Sequence, residues 1–402
     1  MNHRLIPNLK NSISTKVNQV KKTYHGRFLI TVTAQILWIT FNAQTNWMIL
    51  GFWSHESTLG RDLKYVAESV TCDRNQSFFT SIIAKECDNF YGIAFLRFLR
   101  AIGFGLNNYQ YFYIAMTGTT IIVTSLLFCT YSKGHSVSKK IFWFFTLFGP
   151  YYLLLINRGN IDQTIFCMLV IATYFTYLRQ SQTLYYALIF CSLFKFYTLP
   201  LLIIYVFSQF RKTLVIWLPT LAVTFEIIRE LQQINFLPIR NISSSFGASI
   251  FSDYFSKMND FIFPFQSIFI IFIFSLTCMT ATFALKEKSW ANKSISIVGI
   301  DSLRDLFLLQ HFFCFIVFLN YDWRLIFLIF SLFMHSHYDT ESRKSRYYIP
   351  FSLTVAWASA GFNQIAIVGD VFLYSLFVYV SLNIFATILN YGKNFLHLEK
   401  FK

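Results

Sequence analysis

Four short clusters of polar and charged residues interrupt a chain that is otherwise strongly apolar. They read Gly60-Arg61-Asp62-Leu63-Lys64-Tyr65, Arg158-Gly159-Asn160-Ile161-Asp162, Lys195-Phe196-Tyr197 and Asn320-Tyr321-Asp322-Trp323-Arg324. Carboxylates of the kind they carry can take a proton from a hydroxyl group, and their cationic side chains can bind anions such as phosphate. The clusters are therefore the first places to look for chemistry.

Asp62 is a candidate general base. On a helix it would share a face with Tyr65 and Ser69. A carboxylate in that position can accept the proton of an acceptor hydroxyl during transfer of a group to that hydroxyl. The alternative interpretation is an ordinary charge on a surface helix.

The other clusters favour anion binding. Arg158 pairs well with phosphate, and Gly159 allows a ligand to approach the backbone closely. The alternative for Arg158 is a positive loop residue at the level of the lipid headgroups. Asp322 and Arg324 have an alternative role as an ion pair that fixes the turn between two helices.

Composition places these clusters in an all-α, polytopic membrane protein. The chain is 55% hydrophobic and 20% aromatic but only 13% charged, with a mean hydropathy of +0.48. Many apolar runs approach the length of about 20 residues that crosses a bilayer. Its 34 basic and 19 acidic residues give a net charge of +15. Because the basic residues cluster between apolar runs, they indicate orientation and contact with anionic lipid, not nucleic-acid binding.

The distribution of Lys and Arg predicts about twelve membrane passes in one domain, 1–402, with both termini cytoplasmic. The expected spans are 28–53, 109–131, 141–156, 163–178, a pair of short helices within 183–210, 213–231, 261–285, a second short pair within 303–337, 348–366 and 368–391. The first pair should turn near Phe194 to Pro200, because the residue before a proline avoids the helical conformation. A charge in hydrocarbon costs roughly 3 kcal/mol or more, so Lys195 needs an anionic partner or water.

A long non-cytoplasmic loop is expected between the first two spans. Residues 54–107 contain two segments with helical periodicity, 62–69 and 88–104, which we expect to lie on the membrane surface. Cys72 and Cys87 would lie on the oxidising side, where a disulfide between them is plausible. In this topology all four polar clusters fall on the same, outer face of the membrane.

Several classes of active site have no signature in the sequence. The histidines lack the spacing of metal ligands, and no Walker loop, dinucleotide-binding fingerprint or serine triad occurs. ATP-driven transport is therefore unsupported, and no metal site is predicted.

The four clusters together resemble the motifs of bacterial GT-C membrane glycosyltransferases. The shared features are an outward Asp after the first span, an Arg-Gly-polar turn that opens a later span, a Lys-x-Tyr apex followed by Pro200, and a late Asn-Tyr-Asp-x-Arg cluster. The branch they resemble most is glycosyltransferase family 87, which comprises mannosyltransferases that use polyprenyl-phosphate mannose. This chain departs from that pattern at Asn160, where the family usually has Gln, and at Pro200, which the family usually places earlier.

The resemblance implies transfer of a mannose-like sugar from a polyprenyl phosphate to a lipid-linked or glycan acceptor. It implies a GT-C fold in a bacterial inner membrane, with the site on the periplasmic face and no required cofactor. Asp62 would be the base; the residues holding the phosphate or sugar would be Arg158, Asn160, Lys195, Tyr197 and Arg324, supported by Tyr65, Asp162, Asn320 and Asp322. The partners of the protein would be membrane lipids, the polyprenyl-phosphate sugar and the acceptor, and nucleic acid would not be a partner. The alternatives are a transporter or flippase of lipid-linked saccharides, to which broken helices are also suited, and a polysaccharide polymerase.

Overall fold

A computed structural model describes most of the N-terminal half of the chain and several later segments. The described residues are 5–45, 59–72, 93–179, 182–208, 214–233, 245–246, 302–317, 320–321, 325–338, 351–356, 371, 372, 375, 376 and 378. Over these residues the secondary structure is almost entirely α-helical, as the sequence predicts. The helices are α1 (Leu5–Gln44), α2 (Arg61–Cys72), α3 (Ile93–Ala101), α4 (Tyr109–Tyr131), α5 (Val137–Leu147), α6 (Pro150–Arg158), α7 (Asp162–Arg179), α8 (Thr183–Phe194), α9 (Leu199–Ser208), α10 (Leu214–Gln233), α11 (Ser302–Val317) and α12 (Leu325–Tyr338).

Two helical stretches among the described residues are long and apolar enough to cross a membrane. They are Tyr109–Tyr131 and Val137–Arg158, and five more apolar helices are shorter. The twelve-pass topology therefore stays a prediction. The expected span 261–285 lies outside the described residues, and of the expected spans 348–366 and 368–391 only 351–356 and a few single residues are described.

Helix α1 is longer than the predicted first span. It begins at Leu5 instead of residue 28 and continues to Gln44, about 60 Å at 1.5 Å per residue. The polar composition of residues 5–27 argues against burial in a bilayer, but it does not prevent these residues from forming a helix. Pro7 also fits, because it falls in the first turn, where its missing backbone N–H is not needed. The second predicted span coincides with α4.

Buried hydrogen bonds hold α1 against α4 and α6. The side-chain amide of Gln35 donates to the Ser125 hydroxyl at 2.6 Å, and its carbonyl oxygen accepts from Tyr152 at 2.8 Å and from Thr124 at 3.2 Å. Because these groups are buried between helices, each finds its hydrogen-bond partner on a neighbouring helix. The network fixes the rotation of α4 and α6, which carry part of the candidate site.

The predicted span 141–156 is two helices. Helix α5 ends at Leu147 and α6 begins at Pro150, which tolerates the first helical position because it has no backbone N–H to satisfy. The break leaves the Phe148 carbonyl without a helical donor, and the Trp38 indole N–H donates to it at 2.8 Å. The Gly149-Pro150 pair is a sequence signal for such a break, but hydropathy alone predicted one continuous span over 141–156.

The turn between α8 and α9 lies where the sequence predicts it, but for another reason. Lys195 leaves the helical conformation (φ −145°, ψ 120°), and the 3₁₀ turn Phe196–Thr198 follows. Leu199, the residue before the proline, is helical (φ −55°, ψ −43°), so the expectation that it would avoid that conformation is wrong. Pro200 instead occupies the first turn of α9, where a proline fits.

Helices α11 and α12 form the second predicted pair of short helices. Phe307 of α11 stacks on Phe166 of α7 at 4.9 Å between ring centroids, and Phe327 of α12 lies 6.0 Å from the same ring. Between the two helices, β2 (Asn320–Tyr321) pairs with β1 (Ser245–Phe246) in antiparallel register. Such two-residue strands are too short to show alternation in a sequence, and the sequence analysis did not predict them.

Candidate active site

The candidate site is built around the connection between α6 and α7. Gly159 ends α6 in the left-handed conformation (φ 60°), and the side-chain oxygen of Asn160 accepts a hydrogen bond from the backbone N–H of Asp162 at 3.0 Å. Asn160 thereby caps α7, a common use of Asn before a helix. The side chains of Asn160 and Asp162 are buried within the protein, which the sequence alone did not show for this polar turn.

Asp62 binds this connection through both of its carboxylate oxygens. A guanidinium nitrogen of Arg158 lies 2.8 Å from Oδ1, and the Asn160 amide donates to Oδ2 at 2.7 Å. Asp62 is only 7% exposed, so it is not an ordinary charge on a surface helix. Its position in the first turn of α2 is also favourable, because the N-terminus of a helix attracts negative charge.

A close approach between two glycines brings α2 to the α6–α7 connection. The backbone N–H of Gly60 donates to the Asn157 carbonyl at 2.8 Å. A Cβ atom on Gly159 would lie 2.8 Å from the Gly60 Cα and 2.9 Å from the Tyr113 ring, closer than real Cβ contacts. Both glycines also have positive φ, which other residues rarely adopt. Only glycine at position 159 allows Asp62 and Arg158 to meet in this way.

The apex between α8 and α9 reaches the same connection. The Tyr197 hydroxyl donates a hydrogen bond to the Asp162 carboxylate, and both residues are buried. Lys195, half-buried, begins the turn that carries Tyr197. Helix α3 supports the apex from outside, since Phe95 packs on Phe194 at 4.1 Å between centroids.

These contacts join five predicted site residues from three separate segments. We call them the five-residue network: Asp62, Arg158, Asn160, Asp162 and Tyr197. Its members were proposed from the sequence because of their types and their common predicted membrane face. The structure shows that they are connected by hydrogen bonds, while their chemical roles stay predictions.

Tyr65 is not part of this network, and the expected shared face with Asp62 is wrong. Tyr65 is 46% exposed, and its hydroxyl accepts from the Arg61 guanidinium at 2.7 and 2.9 Å. The buried face of α2 follows the i, i+4, i+8 pattern through Asp62, Val66 and Val70, so position i+3 turns towards solvent.

Other predicted site residues have no described side chain. Asn320 is described only through its backbone pairing with Phe246. Asp322, Arg324 and Cys87 lie outside the described residues, as does the side chain of Cys72 at the end of α2. The predicted disulfide and the predicted contribution of the late cluster therefore stay predictions.

Sequence reasoning missed residues that position the network. Gln163 donates to the Leu155 carbonyl at 2.9 Å and accepts from the Thr120 hydroxyl at 3.1 Å, and so ties α7 to α6 and α4. Tyr113 covers the two glycines. The adjacency of Gln163 to Asp162 was a usable signal, whereas nothing distinguishes Tyr113 from the other aromatic residues of α4.

The chemistry available here is that of two carboxylates, one of which is paired with the Arg158 guanidinium. Asp62 and Asp162 can accept protons or hydrogen bonds, and Arg158 can bind an anion, as can Lys195, which precedes Tyr197 by two residues. In the part of the chain that the structure describes, no group of three or more His, Cys, Asp or Glu side chains is arranged to hold a metal ion. No protein-family model, curated protein or solved structure matches this chain significantly.

Proposed function

We propose that the protein is a membrane glycosyltransferase of the GT-C type. In this proposal it transfers a mannose-like sugar from a polyprenyl-phosphate carrier, the sugar donor, to a hydroxyl group of a lipid-linked or glycan acceptor. The chain would form one domain with about twelve passes in a bacterial inner membrane, and the site would face the periplasm. The observation that carries the proposal is the pairing of Asp62 with Arg158 and Asn160.

That pairing supports the proposal because transfer needs a base beside an anion-binding cation. The acceptor O–H proton would move to the Asp62 carboxylate while the acceptor oxygen forms a bond to the anomeric carbon. The bond from that carbon to the phosphate oxygen breaks, and the phosphate leaves with the electron pair. Arg158 and Lys195 would compensate the charge of the leaving phosphate, which makes a metal ion unnecessary.

The contacts of Asp62 suggest that the sugar donor binds first. Both carboxylate oxygens already accept hydrogen bonds, one of them from a guanidinium. A phosphate competes well for that guanidinium, because Arg binds phosphate through the same pair of N–H groups that it offers a carboxylate. Binding of the phosphate to Arg158 would therefore release Asp62 Oδ1 to accept the acceptor proton.

Incubation of purified protein with a panel of radiolabelled polyprenyl-phosphate sugars and membrane lipids tests the proposal. The expected result is a new radiolabelled glycolipid whose formation depends on the protein. The variant Tyr65→Phe is a matched control, since Tyr65 lies outside the five-residue network and should leave the product yield unchanged. Movement of the labelled lipid across vesicles without any new glycolipid would instead support a flippase.

A further inference from the structure

Helix α11 carries a buried polar residue that the five-residue network does not use. The side chain of Gln310 is 0% exposed. Its amide nitrogen donates only to the Cys314 sulfur at 3.6 Å, and its Oε1 has no hydrogen-bond partner among the described residues. An unsatisfied buried polar group is costly, and polar side chains among membrane helices often mark functional sites. Gln310 therefore calls for an explanation other than packing.

The direction of α11 places Gln310 towards the candidate site. Helices α11 and α12 are antiparallel, because the Ser331 hydroxyl donates to the Arg304 carbonyl while Phe327 packs on Phe307. Further along α12, Phe333 stacks on Phe128, near the end of α4 that is remote from Tyr113. Later residues of α12 thus lie away from the site, and later residues of α11 lie nearer to it.

The packing of α11 on α7 fixes the level of Gln310. Phe307 stacks on Phe166. Gln310 is three residues beyond Phe307 on the same helical face, and Asp162 is four residues before Phe166. At 1.5 Å per residue these steps are about 4.5 Å along α11 and about 6 Å along α7, both towards the site. Gln310 is therefore level with Asp162, and the 3₁₀ turn that carries Tyr197 also packs against α11.

We propose that Gln310 binds a hydroxyl group of the sugar that is transferred or of the acceptor, through its free Oε1. An amide carbonyl oxygen accepts from a hydroxyl group, whereas it offers nothing to an apolar prenyl chain and repels a phosphate oxygen. Gln310 is then a specificity-determining residue beside Asp162 and the turn that carries Tyr197. This inference rests on the proposed glycosyltransferase function.

The variant Gln310→Met separates ligand binding from a structural role. Methionine has a similar length and no polar group to leave unsatisfied, so the thermal midpoint of unfolding in detergent should stay unchanged or rise. The KM for one substrate should rise about tenfold, the equivalent of one lost hydrogen bond to a well-placed hydroxyl. An increase for the polyprenyl-phosphate sugar assigns the contact to the transferred sugar, and an increase for the acceptor assigns it to the acceptor.

The matched control is Gln163→Met. Gln163 is equally buried, but both ends of its amide are hydrogen-bonded, so this variant should lower the unfolding midpoint. If Gln310→Met also lowers the midpoint and leaves both KM values within twofold of wild type, Gln310 is a structural residue and the inference is wrong. That outcome leaves the proposed function intact, whereas absence of any transfer by the wild-type protein would refute the proposed function itself.

Discussion

From the close approach of Gly60 and Gly159 we predict how much the variant Gly159→Ala lowers the free energy of unfolding. The new Cβ would lie 2.8 Å from the Gly60 Cα, where ordinary contacts begin at 3.4 Å, so the backbone of α2 would have to move by about 0.6 Å. The left-handed conformation costs a residue other than glycine roughly 1–2 kcal/mol. Overpacking of a filled interior adds roughly 1–3 kcal/mol. We therefore expect the free energy of unfolding to fall by roughly 2–5 kcal/mol.

Gly103→Ala provides the control for conformational strain alone. Gly103 also has positive φ (77°), but a Cβ there would meet no atom within 4 Å. Its cost should be only the roughly 1–2 kcal/mol of the left-handed conformation. The assay is unfolding of the purified protein by sodium dodecyl sulfate, followed by circular dichroism. Equal destabilisation by the two alanine variants would refute the close approach and, with it, the geometry that brings Asp62 to Arg158.

Two further variants test the apex between α8 and α9. Tyr197→Phe removes the hydrogen bond to the buried Asp162. We therefore expect the free energy of unfolding, measured in the same assay, to fall by roughly 1–3 kcal/mol. An unchanged unfolding curve would mean that the bond is not formed. Lys195→Ala removes a cation proposed to hold the leaving phosphate. Both the affinity for the sugar donor and the turnover number should therefore fall in the radiolabel assay. A normal affinity would exclude Lys195 from the phosphate site.

Most of the described helices could be predicted from the sequence because apolar runs bounded by basic residues are a strong signal. Helix α4, which coincides with the predicted span 109–131, is an example. The start of α1 at Leu5 could not be predicted by the same reasoning, since hydropathy reports burial in lipid and not helix formation. The break at Phe148–Gly149 was also missed, although the Gly149-Pro150 pair is a signal for it. The hydrogen bond from Trp38 that satisfies the Phe148 carbonyl comes from a distant part of the chain and could not be predicted.

The sequence selected residues that the structure joins by hydrogen bonds, but it did not predict which of them would be in contact. Residue type and predicted membrane face were sufficient to select Asp62, Arg158 and Tyr197. Which oxygen of Asp62 meets which partner depends on the distance between two glycine backbones, and a single sequence carries no measure of that distance. Tyr65 shows the same limit, because the rotation of α2 decides between positions i+3 and i+4, and tertiary packing sets that rotation.

The proposed role of Asp62 as general base is tested by the rate of sugar transfer by Asp62→Asn, measured in a single turnover with the sugar donor already bound. Asparagine keeps the shape of the side chain but cannot take up the acceptor proton, and loss of a general base typically slows a reaction by about 10²–10⁴-fold. Equilibrium binding of the sugar donor serves as the check that the variant is folded. If Asp62 is the base, the variant should bind the sugar donor while transfer slows at least about a hundredfold; transfer at more than about a tenth of the wild-type rate would show that Asp62 is not the base.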